Sequence, residues 1–104
     1  MAGTLYLVAT PIGNLDDFSP RGQRVLRDVD VIAAEDTRHS GQLLARFDLS
    51  RPLVSYHDHN KDRRTPELIE RLRAGDAVAI VSDAGSPGIS DPAYSLVQAA
   101  LAAG

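Results

Sequence analysis

Four short apolar runs constrain this chain more than any other feature, because each is continuous rather than alternating. They are Leu5-Tyr6-Leu7-Val8-Ala9, Val31-Ile32-Ala33-Ala34, Leu53-Val54-Ser55-Tyr56 and Ala77-Val78-Ala79-Ile80-Val81. A strand with one face in water alternates apolar and polar side chains. A run that is apolar throughout belongs in a parallel sheet covered on both faces. Parallel strands need crossovers, and the intervening segments have helical spacing. Val25, Leu26 and Val29 show an i, i+1, i+4 pattern that recurs at Leu43, Leu44, Phe47 and at Leu68, Ile69, Leu72, while Leu96, Val97, Ala100 and Leu101 mark a fourth segment. Four βα units in series predict an open, mainly parallel α/β sheet with flanking helices and right-handed crossovers.

Local signals place the helix ends. Ser19-Pro20 and Thr65-Pro66 each put a capping hydroxyl before a proline at the first helical position. Glu67 is spaced to pair with Arg71 at i, i+4. Gly75 and Gly104 follow the last periodic residues, as C-terminal caps do.

The 104 residues suit one domain and are too few for two. A formal net charge of -3 argues against a domain held on nucleic acid by bulk charge. With no cysteine there is no disulfide, thiolate or Cys-ligated metal. No apolar run approaches the ~20 residues of a membrane span, and no charged n-region opens the chain. A cytoplasmic protein without a membrane partner is expected. Met1 reads as a true start and Gly104 closes a helix where a strand would come next, so an N-terminal portion of a longer protein is expected.

In such sheets ligands bind beyond the carboxyl ends of the strands. Each run here is followed by an unusual polar segment: Thr10 to Asp17 (TPIGNLDD), Glu35 to Ser40 (EDTRHS), His57 to Asn60 (HDHN), and Ser82 to Pro92 (SDAGSPGISDP). The last is longer than the ~2 to 6 residues a strand-to-helix connection needs. Neither a G-x-G-x-x-G fingerprint nor a G-x-x-x-x-G-K-[ST] loop occurs, which disfavours a dinucleotide or triphosphate bound in the usual ways. Glu35, Asp36, Thr37 and Arg38 read either as a helix cap, with Asp36 or Thr37 as N-cap, or as a polar wall against substrate hydroxyls and phosphate. His57 and His59, on an extended segment, would point one way and Asp58 the other. Hydrogen-bonding roles are expected there, and no metal. The basic residues Arg21, Arg24, Arg27, Arg46, Arg51, Lys61, Arg63 and Arg64 read as a solvated face, with a local phosphate-contact surface as the alternative.

Taken together, VATPIGNL (8–15), AAEDTRHS (33–40), HDHN and SDAGSPGISDP resemble the small-subunit ribosomal RNA methyltransferase I family, within the tetrapyrrole-methylase-like class. The resemblance covers essentially the whole chain. It implies 2'-O-methylation of a cytidine in 16S ribosomal RNA of the 30S subunit, with S-adenosylmethionine as cofactor. It also implies that residues 1–104 form an N-terminal α/β domain, one wall of a cleft completed by a C-terminal domain that this chain lacks, and that the fragment alone is inactive. The cofactor residues it implies are Pro11, Ile12, Gly13, Ser82, Asp83, Ala84, Gly85 and Pro87. Glu35 and Asp36 become candidates for the general base, with the C-terminal domain as the alternative source. Thr37, Arg38, His57 and Asn60 become substrate contacts. An uncovered face or sheet edge predicts a homodimer.

Three other readings compete. A corrin-precursor methylase would keep the fold and change the substrate. A metal-dependent phosphohydrolase would be built on His57, Asp58, His59 and Asp91. A non-catalytic assembly domain would use the same loops as plain turns.

Overall fold

The computed structural model describes residues 2–11, 14–82 and 92–103. The elements run β1 (Thr4–Ala9), a single 3-10 turn (Leu15–Asp17), α1 (Pro20–Asp28), β2 (Val31–Ala34), α2 (Thr37–Arg46), β3 (Leu53–Ser55), α3 (Lys61–Arg73), β4 (Ala77–Ser82) and α4 (Pro92–Ala103). The strands form one parallel sheet in the order β1-β4-β2-β3. The expected βα series and parallel sheet are present.

Successive strand residues point to opposite faces, and both faces of β2 and β4 are covered; the expectation of double burial fails for β1, an edge strand in which Val8 alone is buried and Tyr6 and Leu7 are exposed. Val8, Ile32, Ala34, Ala79 and Val81 meet Leu26 of α1 and Leu43 and Leu44 of α2 on one side. Val31, Ala33, Val78 and Ile80 meet Leu68, Ile69 and Leu72 of α3 and Leu96 and Ala100 of α4 on the other. This double burial is the reason the runs of β2 and β4 do not alternate: all four β2 residues are at most 1% exposed. The steps from β1 to β2 and from β2 to β3 travel toward the β3 edge with α1 and α2 on one face. The return from β3 to β4 uses α3 on the other face, as a single crossover hand requires.

Two expected helix ends are observed. Ser19 Oγ accepts from the Gly22 amide at 3.0 Å with Pro20 as the first residue of α1. At the end of α3, Gly75 takes φ 101°, the Gly75 N–H donates to Leu72 O and the Asp76 N–H to Arg71 O, a Schellman closure.

Three expectations are corrected. Helix α3 starts at Lys61, not after Thr65, and encloses Pro66. The missing Pro66 amide leaves only the carbonyl of exposed Asp62 without its helical donor, where water can serve it. Thr65 does not cap: its hydroxyl is 2.7 Å from the Tyr56 hydroxyl. Glu67 pairs with Arg64 at 3.1 Å, not with Arg71, which instead reaches Asp76 at 3.2 Å. In α4, Leu101 is 74% exposed, because at 3.6 residues per turn it stands about 140° from buried Leu96, off the stripe continued by Ala99, Ala100 and Ala103. Gly104 lies outside the described residues.

A candidate site along the carboxyl edge of the sheet

The parallel register aligns Ala9 with Ser82, and Ala34 with both Val81 and Ser55, so all four strands end along one rim. Each final residue is alanine or serine: Ala9, Ala34, Ser55 and Ser82. Small side chains at every strand end allow a ligand to approach the main chain closely. Each neighbouring pair of strands also sends its helices to opposite faces, which opens crevices between the departing connections.

The roots of these connections are fixed. The Thr10 N–H and Thr10 hydroxyl both donate to Ser82 O, at 3.0 and 3.2 Å, and both residues are buried. This locks the exit of β1 to that of β4. Pro11 follows, half-buried. Asn14 then caps the 3-10 turn, its Oδ1 accepting from the Asp16 amide at 3.0 Å. Ile12, Gly13, Asp83, Ala84, Gly85, Pro87 and Asp91 lie outside the described residues, so of the expected cofactor residues only Pro11 and Ser82 are placed, both on the rim.

At the end of β2, Asp36 is the N-cap of α2: its Oδ1 accepts from the Arg38 and His39 amides at 3.0 and 3.3 Å. That carboxylate is committed to the helix. Glu35 beside it is exposed and makes no hydrogen bond or ion pair with a described residue. Thr37 and Arg38 open α2, half-buried and exposed respectively.

The segment after β3 is a turn rather than the extended stretch expected. The Tyr56 amide still donates to Ala34 O at 2.8 Å, which sets this turn beside Glu35. His59 does not align with His57 as a parallel neighbour; its N–H donates to His57 Nδ1 at 3.1 Å. Asn60 uses its whole amide inside the turn: Oδ1 accepts from the His57 N–H at 2.8 Å, and Nδ2 donates to Ser55 O at 3.2 Å and Ser55 Oγ at 2.9 Å. Asp58 is exposed and pairs with Lys61 at 3.4 Å. Among the described residues no three His, Cys, Asp or Glu side chains converge as a metal would require. Burial pushes the Tyr56 phenol up, with the Thr65 hydroxyl acting in the opposite sense.

Thr10, Ser55 and Tyr56 were not singled out by the sequence as part of the site. Their one signal was position, at or just past the end of an apolar run.

A parallel α/β domain with polar segments gathered on one carboxyl rim is a ligand-binding class, and comparison makes the class specific. Residues 4–104 match the model of the Tetrapyrrole (Corrin/Porphyrin) Methylases, and the chain belongs to that family. It is 61% identical over 97 residues to the ribosomal RNA small subunit methyltransferase I of Synechocystis, covering 93% of this chain and 35% of that protein. Against the protein of the same name from Xylella fastidiosa it is 59% identical over 102 residues, 98% of this chain and 37% of that one. The chain therefore spans about a third of the length of the curated relatives it matches. The uroporphyrin-III-C-methyltransferase of Thermus thermophilus superposes with a TM-score of 0.74 at 26% identity, over 99% of this chain and 44% of that one.

Proposed function

We propose that this chain is the N-terminal α/β domain of a cytoplasmic, S-adenosylmethionine-dependent enzyme that methylates the ribose 2'-oxygen of a cytidine in small-subunit ribosomal RNA. Its substrate is the 30S subunit, and a second domain supplies the other wall of the cleft. The observation that carries the reading is the common rim of alanine and serine strand ends with locked roots, in a chain about 60% identical to proteins named for this RNA. The corrin-precursor reading rests on the uroporphyrin methyltransferase, which is only 26% identical. Self-association through the open edge of β1 belongs to the same proposal.

The rim suits the cofactor chemically. Small side chains admit an adenosine and a methionine moiety against peptide groups, and buried Thr10 and Ser82 keep the exits of β1 and β4 in place. When bound, S-adenosylmethionine supplies an electrophilic methyl group on a sulfonium. Pro11 and Ser82 form part of the shelf that holds it. Asp83, with Ile12, Gly13, Ala84, Gly85 and Pro87, completes that shelf, its carboxylate accepting from the methionine ammonium or a ribose hydroxyl. Thr37 and Arg38 meet the RNA, the guanidinium presenting a planar fork to a phosphate. Glu35, whose carboxylate is uncommitted, takes the proton from the ribose hydroxyl, while Asp36 holds α2 in place. Alignment of the 2'-oxygen with the methyl group supplies much of the rate.

The test uses the chain at the full length of its relatives, labelled S-adenosylmethionine, and 30S subunits from cells lacking the activity. Nuclease digestion and mass spectrometry should find 2'-O-methylcytidine. Label on a corrin precursor and none on RNA would transfer the assignment to the other substrate class. Asp83→Ala should weaken cofactor binding by about 1–3 kcal/mol, as loss of a charged hydrogen bond does. Unchanged calorimetric affinity would remove Asp83 from the site.

A further inference from the structure

The turn after β3 has more internal bonding than a connection needs. Within residues 55–61, Asn60 Oδ1 holds the His57 amide at 2.8 Å, Asn60 Nδ2 holds both oxygens of Ser55, and the Asn60 and Lys61 amides donate to His57 O at 3.1 and 2.9 Å. Asn60 stands at the N-cap of α3, yet its side chain makes no capping bond to the helix; it turns back to the strand instead. The usual use of an N-cap side chain is given up. What that exchange fixes is His57.

His57 Nδ1 accepts the His59 N–H at 3.1 Å, so in the neutral ring the proton is on Nε2. Nε2 has no partner among the described residues. The ring is half-buried, two residues past the last residue of β3 and beside the Glu35 segment through the Tyr56 N–H to Ala34 O bond. A turn held at five points thus presents a donor that has no partner among the described residues, beside the segment that carries the uncommitted Glu35 carboxylate.

We infer that Asn60 is a positioning residue that clamps the 55–60 turn so that His57 offers a fixed Nε2–H donor to an acceptor oxygen of the RNA substrate. This rests on the RNA reading above for the identity of the acceptor, and on the turn alone for the donor. Ser55 is the anchor, because it receives both Asn60 Nδ2 bonds. The arrangement separates two residues that a sequence motif presents as equals: His57 touches the substrate, and Asn60 acts through it.

Two measurements test it. The first needs no substrate. Ring-nitrogen NMR of the 15N-labelled chain at mildly alkaline pH should show His57 as a single Nε2–H tautomer with a bare Nδ1. Asn60→Ala should turn it into a mixture while leaving His39 unchanged. Ser55→Ala, which removes one of the two acceptors, should give a smaller change in the same direction and serves if Asn60→Ala does not fold. A His57 tautomer population identical in wild type and both variants would overturn the positioning role. The second uses the chain at its relatives' full length with 30S subunits. His57→Ala and Asn60→Ala should each raise KM for the subunit by up to about tenfold, the size of one hydrogen bond. His57→Gln, which keeps a donor, should restore part of it, and affinity for S-adenosylmethionine should not move. A fall in kcat at unchanged KM would overturn the donor role. Wild-type enzyme that methylates no RNA would overturn the choice of acceptor, and the NMR result would still decide the role of Asn60.

Discussion

Gly22 and Gly41 are both helical glycines, and replacing each with alanine should change stability in opposite directions. In a helix interior alanine is favoured over glycine by about 1 kcal/mol, because glycine loses more backbone freedom on folding. At Gly41, in α2, a Cβ would meet nothing within 4 Å, so that gain should be realised. At Gly22, the third residue of α1, the added Cβ would sit 2.5 Å from Phe18 Cε1, 2.8 Å from Cζ and 3.1 Å from Ser19 Oγ. Phe18 has little room to retreat. It is 3% exposed and tilts against Phe47 with ring centroids 5.8 Å apart. Overpacking of this kind costs about 1–3 kcal/mol, and the propensity gain is smaller in the first turn than in the interior. Gly22→Ala should therefore lose about 1–2 kcal/mol where Gly41→Ala gains about 1. Urea titrations at neutral pH give both values, and each 1 kcal/mol moves the thermal midpoint by about 4–8 °C at this size. The consequence reaches the site, because Phe18 anchors the connection that carries Pro11, Ile12 and Gly13. A Gly22→Ala variant as stable as Gly41→Ala would refute the claim that Phe18 is fixed by its packing.

Tyr56→Phe removes the 2.7 Å hydroxyl pair with Thr65 and should cost about 1 kcal/mol at neutral pH. Burial raises the Tyr56 pKa above 10.0, so the folded chain binds more protons than the unfolded one at alkaline pH. Its contribution is fully present below pH 10 and is lost as pH climbs through the folded-state value, so wild type should weaken there more than Tyr56→Phe does; parallel urea midpoints for the two across that range would contradict it. Asp36→Ala deletes the cap of α2 and should destabilise by about 0.5–2 kcal/mol, whereas Glu35→Ala should leave stability unchanged in the same titration.

The central strands were legible because burial on both faces leaves a mark in composition at every position, as β2 illustrates, whereas the equally apolar run of β1 belongs to an edge strand with Tyr6 and Leu7 exposed. Helix starts were legible only where one signal acted alone. Ser19-Pro20 meets no competing partner and caps α1 as expected. Thr65-Pro66 has the same local form, but Tyr56, nine residues away, captures the threonine hydroxyl, and the turn at 57–60 begins the helix earlier. The split between Asp36 and Glu35 was likewise hidden, since adjacent carboxylates look equivalent until a helix end takes one of them. For His57 and His59 the expectation was an extended segment. The bonds that bend it run back to Ser55, a residue that reads as plain strand.

The open edge of β1 follows from the same topology. In the described sheet β1 pairs only with β4, and its Tyr6 and Leu7 are 36% and 45% exposed beside a cavity of about 330 Å³ that Ser19, Arg21, Gly22 and Val25 line from α1. Helices on the α1 and α2 face accompany steps toward β3, and helices on the α3 and α4 face accompany steps the other way. Both neighbours of β4 are taken, so any strand joined to α4 by a crossover of this hand would be set down outside β1. Among the described residues no strand pairs with that edge, and Tyr6 and Leu7 stand exposed on it, the arrangement that draws a second edge. Two copies can satisfy it by pairing β1 antiparallel across a two-fold axis. Light scattering should therefore show association that grows with concentration. Leu7→Lys should suppress it, because a charge at the edge resists pairing. Leu101→Lys is the comparison, since that residue is 74% exposed on α4 and is not part of the β1 edge. A chain that stays monomeric at high concentration would refute the edge argument, and loss of association in Leu101→Lys but not in Leu7→Lys would move the contact to α4.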